Sequence, residues 1–258
     1  LKDTIDIPLH LHTHDTAGNG VMIYSAAVAA GVDIIDVATS SMSSGTSQPS
    51  MSSVYYALKN GDRTPHLDND NAIQINHYWE DVRKFYAPFE KGLTSPQTEV
   101  YMHEMPGGQY TNLQAQATAV GLGLRFDEVK NMYHTVNMMF GDIIKVTPSS
   151  KVVGDMALFM VQNDLTEADI YAKGETLSFP ESVISFFAGD LGQPVGGFPE
   201  KLQKIILKDK PSFKDRPGLH ATPVVFEDVL AELTEKLGYK PAQHVVLSYI
   251  LYPQVFLD

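Results

Sequence analysis

Between Ile7 and Ala38 the chain commits itself to one topology. Residues 7–14 alternate apolar and polar side chains, the period of a strand. Asp15-Thr16-Ala17-Gly18-Asn19-Gly20 reads as a turn, and Val21 to Ala30 as a helix of small residues stopped by Gly31. Val32 to Ala38 then reads as a second buried strand. A strand, a helix and a strand joined by short links form a βαβ unit, so the two strands should be parallel neighbours. A loop rich in Ser and Gly follows, from Thr39 to Ser53. It is either a flexible linker or a site loop, because the C-terminal edge of a parallel sheet is where α/β sites gather.

Beyond residue 54 the period changes. Helical spacing covers Ala72–Tyr86, Gln114–Val120, Phe126–Phe140 and Lys151–Gln162, and further helices are expected at Glu181–Phe187, Glu200–Leu207, Phe226–Leu237 and Ala242–Leu251. The expectation is an α/β fold: the last two strands of a parallel domain, then a long helical appendage. With 258 residues, 43% of them hydrophobic, the chain can bury a sizeable core. A formal net charge of −12 argues against nucleic acid or an anionic membrane surface as partner. A small anionic substrate stays compatible, since a bound cation can dominate a local site. No cysteine is present, which removes disulfides and thiolate metal sites and fits an intracellular protein. No apolar run approaches the ~18 residues of a membrane span, so a soluble protein is expected. The opening Leu1-Lys2-Asp3, one step ahead of core structure, reads as the start of a fragment.

Three constellations carry chemistry. In Leu9-His10-Leu11-His12-Thr13-His14-Asp15, side chains at alternate positions share one face of a strand. His10, His12 and His14 therefore line one side, and neutral imidazoles on a rigid face can hold a divalent cation. A structural role is the alternative, with Asp15 either supporting a ligand or capping the turn. The second is Val146-Thr147-Pro148-Ser149-Ser150-Lys151, ahead of an apolar run. It marks a helix start, where the residues cap the helix or where amides and Lys151 meet an anion or a polar carbonyl group. Thr147 presents a hydroxyl that can accept one proton while donating another. The third is His103-Glu104-Met105-Pro106-Gly107-Gly108-Gln109-Tyr110-Thr111-Asn112, a tight turn open to close approach or a plain connection. Phe198 and the pair Phe186-Phe187 read as packing.

Taken together, His12-Thr13-His14-Asp15-Thr16, Met105 to Asn112 and Val146 to Lys151 resemble the carboxyltransferase domain of the pyruvate carboxylase family. Phe179-Pro180-Glu181-Ser182, Gly189-Asp190-Leu191-Gly192-Gln193-Pro194 and Tyr252-Pro253-Gln254-Val255-Phe256 extend the resemblance over essentially the whole chain. It implies a (β/α)₈ TIM barrel: residues 1–53 supply strands 7 and 8, residues 54–210 a helical funnel over the barrel mouth, and residues 211–258 a C-terminal segment leading toward the allosteric linker and tetramerisation region.

The resemblance also implies roles. His12 and His14 bind a divalent metal, manganese or zinc, leaving His10 deeper and structural. Thr147 shuttles a proton between pyruvate and biotin, and Ser150 and Lys151 contact the biotin ring. Biotin sits on a carrier domain outside this chain, and ATP is used by another. The remaining metal ligands, an aspartate on the first strand and a carboxylated lysine on the sixth, also lie outside it, as does the arginine that grips pyruvate. The product is oxaloacetate. The enzyme is expected as a homo-oligomer, a tetramer, cytoplasmic in bacteria and in the mitochondrial matrix of eukaryotes. A carboxyltransferase subunit of a decarboxylase or transcarboxylase is the nearest alternative. A non-catalytic assembly or regulatory surface is the alternative of another class.

Overall fold

The computed structural model describes residues 1–93 and 95–257, the side chain of Leu257 excepted. It divides into two compact units, Leu1–Lys214 and Asp215–Asp258. In the first, β1 (His10–Leu11) and β2 (Ile34–Ile35) pair in parallel, with His10 opposite Ile34 and Leu11 opposite Ile35. Helix α1 (Gly20–Ala29) makes the crossover between them. Its first amide, Gly20 N–H, donates to Asp15 Oδ1 at 2.8 Å, so the buried Asp15 caps the helix. Gly31, at φ +100°, turns the chain out of the helix into β2.

Both strands are shorter than the alternating runs at 7–14 and 32–38 suggest. Among the described residues each has one strand neighbour, so pairing ends where the two backbones part. Past Leu11 the Asp15 N–H turns to Ser47 O, and past Ile35 the backbone of Ala38 pairs with residues 49–51. With one neighbour each, the strands are not buried either: Ile34 is 48% exposed. The loop after β2 closes onto α2 (Met51–Leu58), capped by Ser50. Its Val54 and Leu58 join the fully buried Tyr24 of α1 in a small core against Leu11, Ile35 and Val37.

The main core is helical. After α3 (Asn69–Tyr86) and a single turn, α4 (Val100–His103), it gathers α5 (Gly107–Ala119), α6 (Phe126–Met139), α7 (Ser149–Gln162), α8 (Glu167–Lys173), α9 (Glu181–Ala188) and α10 (Glu200–Leu207). In α7, Val152, Val153, Met156 and Met160 recur at helical spacing and are all buried, which turns that face inward. Each such side chain contributes about 1.5–3 kcal/mol on burial. Phe140, Phe186, Phe187 and Phe198 form an aromatic cluster; the Phe140 and Phe187 rings meet edge to face at 4.9 Å. The expectation that these rings are packing holds.

The second unit contains α11 (Phe226–Leu237), α12 (Gln243–Leu251) and α13 (Pro253–Leu257), with Leu233 and Val246 buried in it. Among the described residues no helix is long and apolar enough to cross a membrane.

Candidate functional site

The parallel register that sets Leu11 against Ile35 brings the next pair, His12 and Asp36, side by side. His12 Nδ1 lies 2.7 Å from Asp36 Oδ2, and His10 Nε2 lies 2.7 Å from Asp36 Oδ1. The bonds from His10 and then His12 hold the Asp36 carboxyl below its ordinary range, so it is an acceptor only. His14 Nδ1 lies 2.5 Å from the carbonyl oxygen of Thr46, in the Ser-rich loop. A carbonyl accepts and cannot donate, so His14, like His12, carries its proton on Nδ1. In the neutral rings both Nε2 lone pairs are then free, and those two atoms face each other at 3.3 Å.

Two opposed lone pairs repel unless a proton or a cation sits between them. Ligands about 2.0–2.1 Å from a tetrahedral ion stand about 3.3–3.4 Å apart, so the pair fits a metal. Oxygen acceptors on the far nitrogens are the usual support of ligating histidines. Among the described residues no cluster of three or more His, Cys, Asp or Glu could hold a metal ion.

The second wall is the start of α5. Pro106-Gly107-Gly108 is the first turn of that helix, not a connecting turn, and the helix begins seven residues before the expected Gln114. The close approach is real: a Cβ on Gly107 would stand 2.8 Å from His14 Nδ1. Gln109 and Asn112 follow on the same side. The third wall is the segment entering α7. Ser149 Oγ donates to Ile144 O at 2.6 Å and accepts the Val146 N–H, so this hydroxyl ties the chain backward, and the N-cap residue of α7, Pro148, makes no side-chain cap.

The three walls enclose one cavity of about 560 Å³. His12 and His14 line it from the first, Gly107, Gln109 and Asn112 from the second, and Lys145, Thr147 and Ser150 from the third. Thr147 is exposed, and among the described residues its hydroxyl has no hydrogen-bond partner. Ser150 is buried. Lys151, like His10, was singled out from sequence but stands apart from these groups. It does not line the cavity, and its ammonium pairs with Asp155 one turn along α7, whose carboxylate also accepts from Ser182 Oγ. The cation at the cavity is Lys145, largely buried, with Nζ 3.0 Å from Glu104 Oε2. Sequence reading missed it; its only signal is its place two residues before Thr147. Gln109 and Asn112 sat inside a motif already noted, and helical spacing from Gly107 would have placed them on one face.

Known proteins bear on this arrangement. The family described as a conserved carboxylase domain matches residues 100–258. Pyruvate carboxylase of Bacillus subtilis is 59% identical over all 258 residues, and mitochondrial pyruvate carboxylase of Rattus norvegicus is 46% identical over 253. The chain spans 22% of the length of each. Among solved structures, the carboxyl transferase domain of Rhizobium etli pyruvate carboxylase with pyruvate and biocytin superposes with a TM-score of 0.94 at 47% identity. That match covers 100% of this chain and 43% of that one.

Proposed function

The chain belongs to the conserved carboxylase domain family, that of the pyruvate carboxylase carboxyltransferase domain, and from that premise we propose that in the complete protein it helps move a carboxyl group from carboxybiotin to pyruvate, giving oxaloacetate. The observation that carries this reading is the single cavity shared by His12, His14, Thr147 and Ser150, drawn from segments more than a hundred residues apart.

In this reading residues 1–53 are strands 7 and 8 of a (β/α)₈ barrel, residues 54–210 its funnel, and residues 211–258 the way to the allosteric linker. His12 and His14 would hold a manganese or zinc ion, whose other ligands belong to strands outside this chain. When bound, that ion supplies positive charge beside the carbonyl oxygen of pyruvate. Carboxybiotin, delivered by a carrier domain and made with ATP elsewhere in the protein, supplies CO₂ and a basic ring nitrogen.

What remains is done by the chain's own groups. Thr147 Oγ1 takes a proton from the pyruvate methyl as its own proton passes to the biotin nitrogen, and the enolate so formed attacks CO₂. The free hydroxyl of Thr147 supports this, since its donor and its acceptor are both available. Walls on three sides hold CO₂ near the enolate, which favours capture over escape. Ser150 faces the cavity and is suited to the biotin ring. Lys151 reaches it only by leaving Asp155, and an exposed pair of that spacing holds it by about 0.3–0.5 kcal/mol. The parent is a homotetramer, cytoplasmic in a bacterium or in the mitochondrial matrix of a eukaryote.

The test is Thr147→Ala in the full-length protein, assayed with ATP, bicarbonate and pyruvate. Oxaloacetate formation should fall by more than a hundredfold while bicarbonate-dependent ATP cleavage continues. Normal oxaloacetate formation refutes the relay. A wild-type parent that decarboxylates oxaloacetate and does not carboxylate pyruvate assigns the decarboxylase reading instead.

A further inference from the structure

His10 is a histidine too many for the site just described. It precedes the metal pair, points to the same side, and yet has neither Nε2 facing His14 nor a place in the cavity lining. Its Nε2 instead meets Asp36 Oδ1, while Oδ2 of the same carboxylate meets His12 Nδ1, both at 2.7 Å. Strand register builds this bridge. Positions 10 and 12 alternate along β1 and its continuation, and Asp36 directly follows Ile35, the partner of Leu11, so its carboxylate reaches both rings.

We propose that Asp36 is the positioning residue that presents His12 to a metal ion, and that His10 tempers it by sharing the same carboxylate. The inference rests on the reading of His12 and His14 as metal ligands, and it assigns roles to two residues which that reading leaves without one. An ionised carboxylate can only accept, so it fixes the His12 proton on Nδ1 and leaves the lone pair on Nε2. It also orients the ring and makes Nε2 a better electron donor. The negative charge reaching His12 is divided, because His10 hydrogen-bonds to the other oxygen. Removing His10 leaves the whole carboxylate to His12. Removing Asp36 leaves Nδ1 without an acceptor, so that the proton is free to settle on Nε2 and close the ligand position. Asparagine is intermediate: its amide oxygen still accepts from His12 once its NH₂ turns toward His10, but the charge is gone.

These roles predict an order that a merely structural residue does not produce. The full-length protein is stripped of metal and titrated with zinc ion against a chelator of known affinity. Asp36→Ala should weaken zinc binding by about 10- to 100-fold, the range for losing such a supporting partner. Asp36→Asn should weaken it less than Asp36→Ala but by at least threefold, and His10→Ala should leave it equal or tighter. A loss below tenfold for Asp36→Ala, or a loss for His10→Ala as large as that for Asp36→Ala, overturns the proposal. Should Asp36→Ala not fold, Asp36→Asn decides: a change below threefold overturns it. His12→Ala and His14→Ala separate the two layers of the argument. If either keeps wild-type zinc affinity, the metal reading itself fails. If both lose zinc and the Asp36 variants do not, only the positioning role fails.

Discussion

Gly107 and Gly108 are adjacent, both line the cavity, and yet they should answer in opposite ways to the addition of one methyl group. A Cβ on Gly107 would stand 2.8 Å from His14 Nδ1 and 3.0 Å from its Cβ and Cγ, whereas one on Gly108 meets nothing nearer than His14 Cε1 at 3.8 Å. Carbon contacts relax at about 3.5 Å or more, so Gly107→Ala asks the ring to retreat by roughly half an ångström. It cannot retreat toward Thr46, because that hydrogen bond is already 2.5 Å long. The ring must turn and give the bond up, or α5 must lift. Overpacking of this kind costs about 1–3 kcal/mol. Replacing a glycine returns about 0.4–1 kcal/mol through the unfolded chain. Gly107→Ala should therefore destabilise by roughly 0.5–2 kcal/mol, while Gly108→Ala keeps only the gain. Thermal melting of the complete carboxyltransferase domain measures the contrast, and bound metal per subunit reports on His14. Gly107→Ala should melt about 1–2 °C below Gly108→Ala in a domain of that size and hold less metal. Equal melting temperatures with equal metal content would refute the claim that the helix start is fitted against the His14 ring.

Two further predictions concern groups with different duties. His103 is buried, and its Nδ1 accepts the Met105 N–H at 3.0 Å, which requires the neutral ring. Burial first, then the nearby Lys130 charge, lowers its pKa from 6.5. The unfolded chain therefore takes up a proton that the folded one refuses. The stability from this group is full above pH 6.5 and is lost as pH falls from there through the depressed folded value. His103→Asn, which keeps an acceptor in place of Nδ1, should flatten the decline in melting temperature between pH 6.5 and 5; an unchanged decline rules His103 out as its source. For Lys151→Ala, the exposed pair with Asp155 limits the stability loss to about 0.5 kcal/mol. Carboxyl transfer should slow nonetheless, and an unchanged rate would leave the ion pair as the whole role of Lys151.

Where elements begin and end was the part of the fold that sequence carried least well, and each miss has a cause. The apolar period at Gln114–Val120 is only the second half of α5; its first turn holds two glycines, which depress helix propensity by about 1 kcal/mol each. Packing against His14 and Leu113's buried environment overrides that preference. Helix α8 is too short to show a period, although Thr166 and Asp169 form a capping box that spacing alone could have flagged. Helix α2 hides in the Ser-rich stretch that reads as loop, because Ser50 caps it. The longer helices α6 and α7 were legible, since their buried faces repeat over several turns.

The site divides along the same line. His12 and His14 were readable, since alternation alone puts them on one side, although both lie past the end of β1. Asp36 was not, because its partnership depends on the offset between two strands, and two sequences of similar alternation can pair in more than one register. Lys145, in the segment before α7, and Lys151, in its first turn, make the same point. Both flank Thr147, but the i,i+4 spacing from Lys151 to Asp155 predicts a pair along the surface of α7. Lys145 has a local acid too, Asp142 at 3.9 Å, but its nearer carboxylate is that of Glu104 at 3.0 Å, 41 residues earlier in the chain. Local spacing thus gives each lysine an acid, and only the fold tells which of the two reaches the cavity.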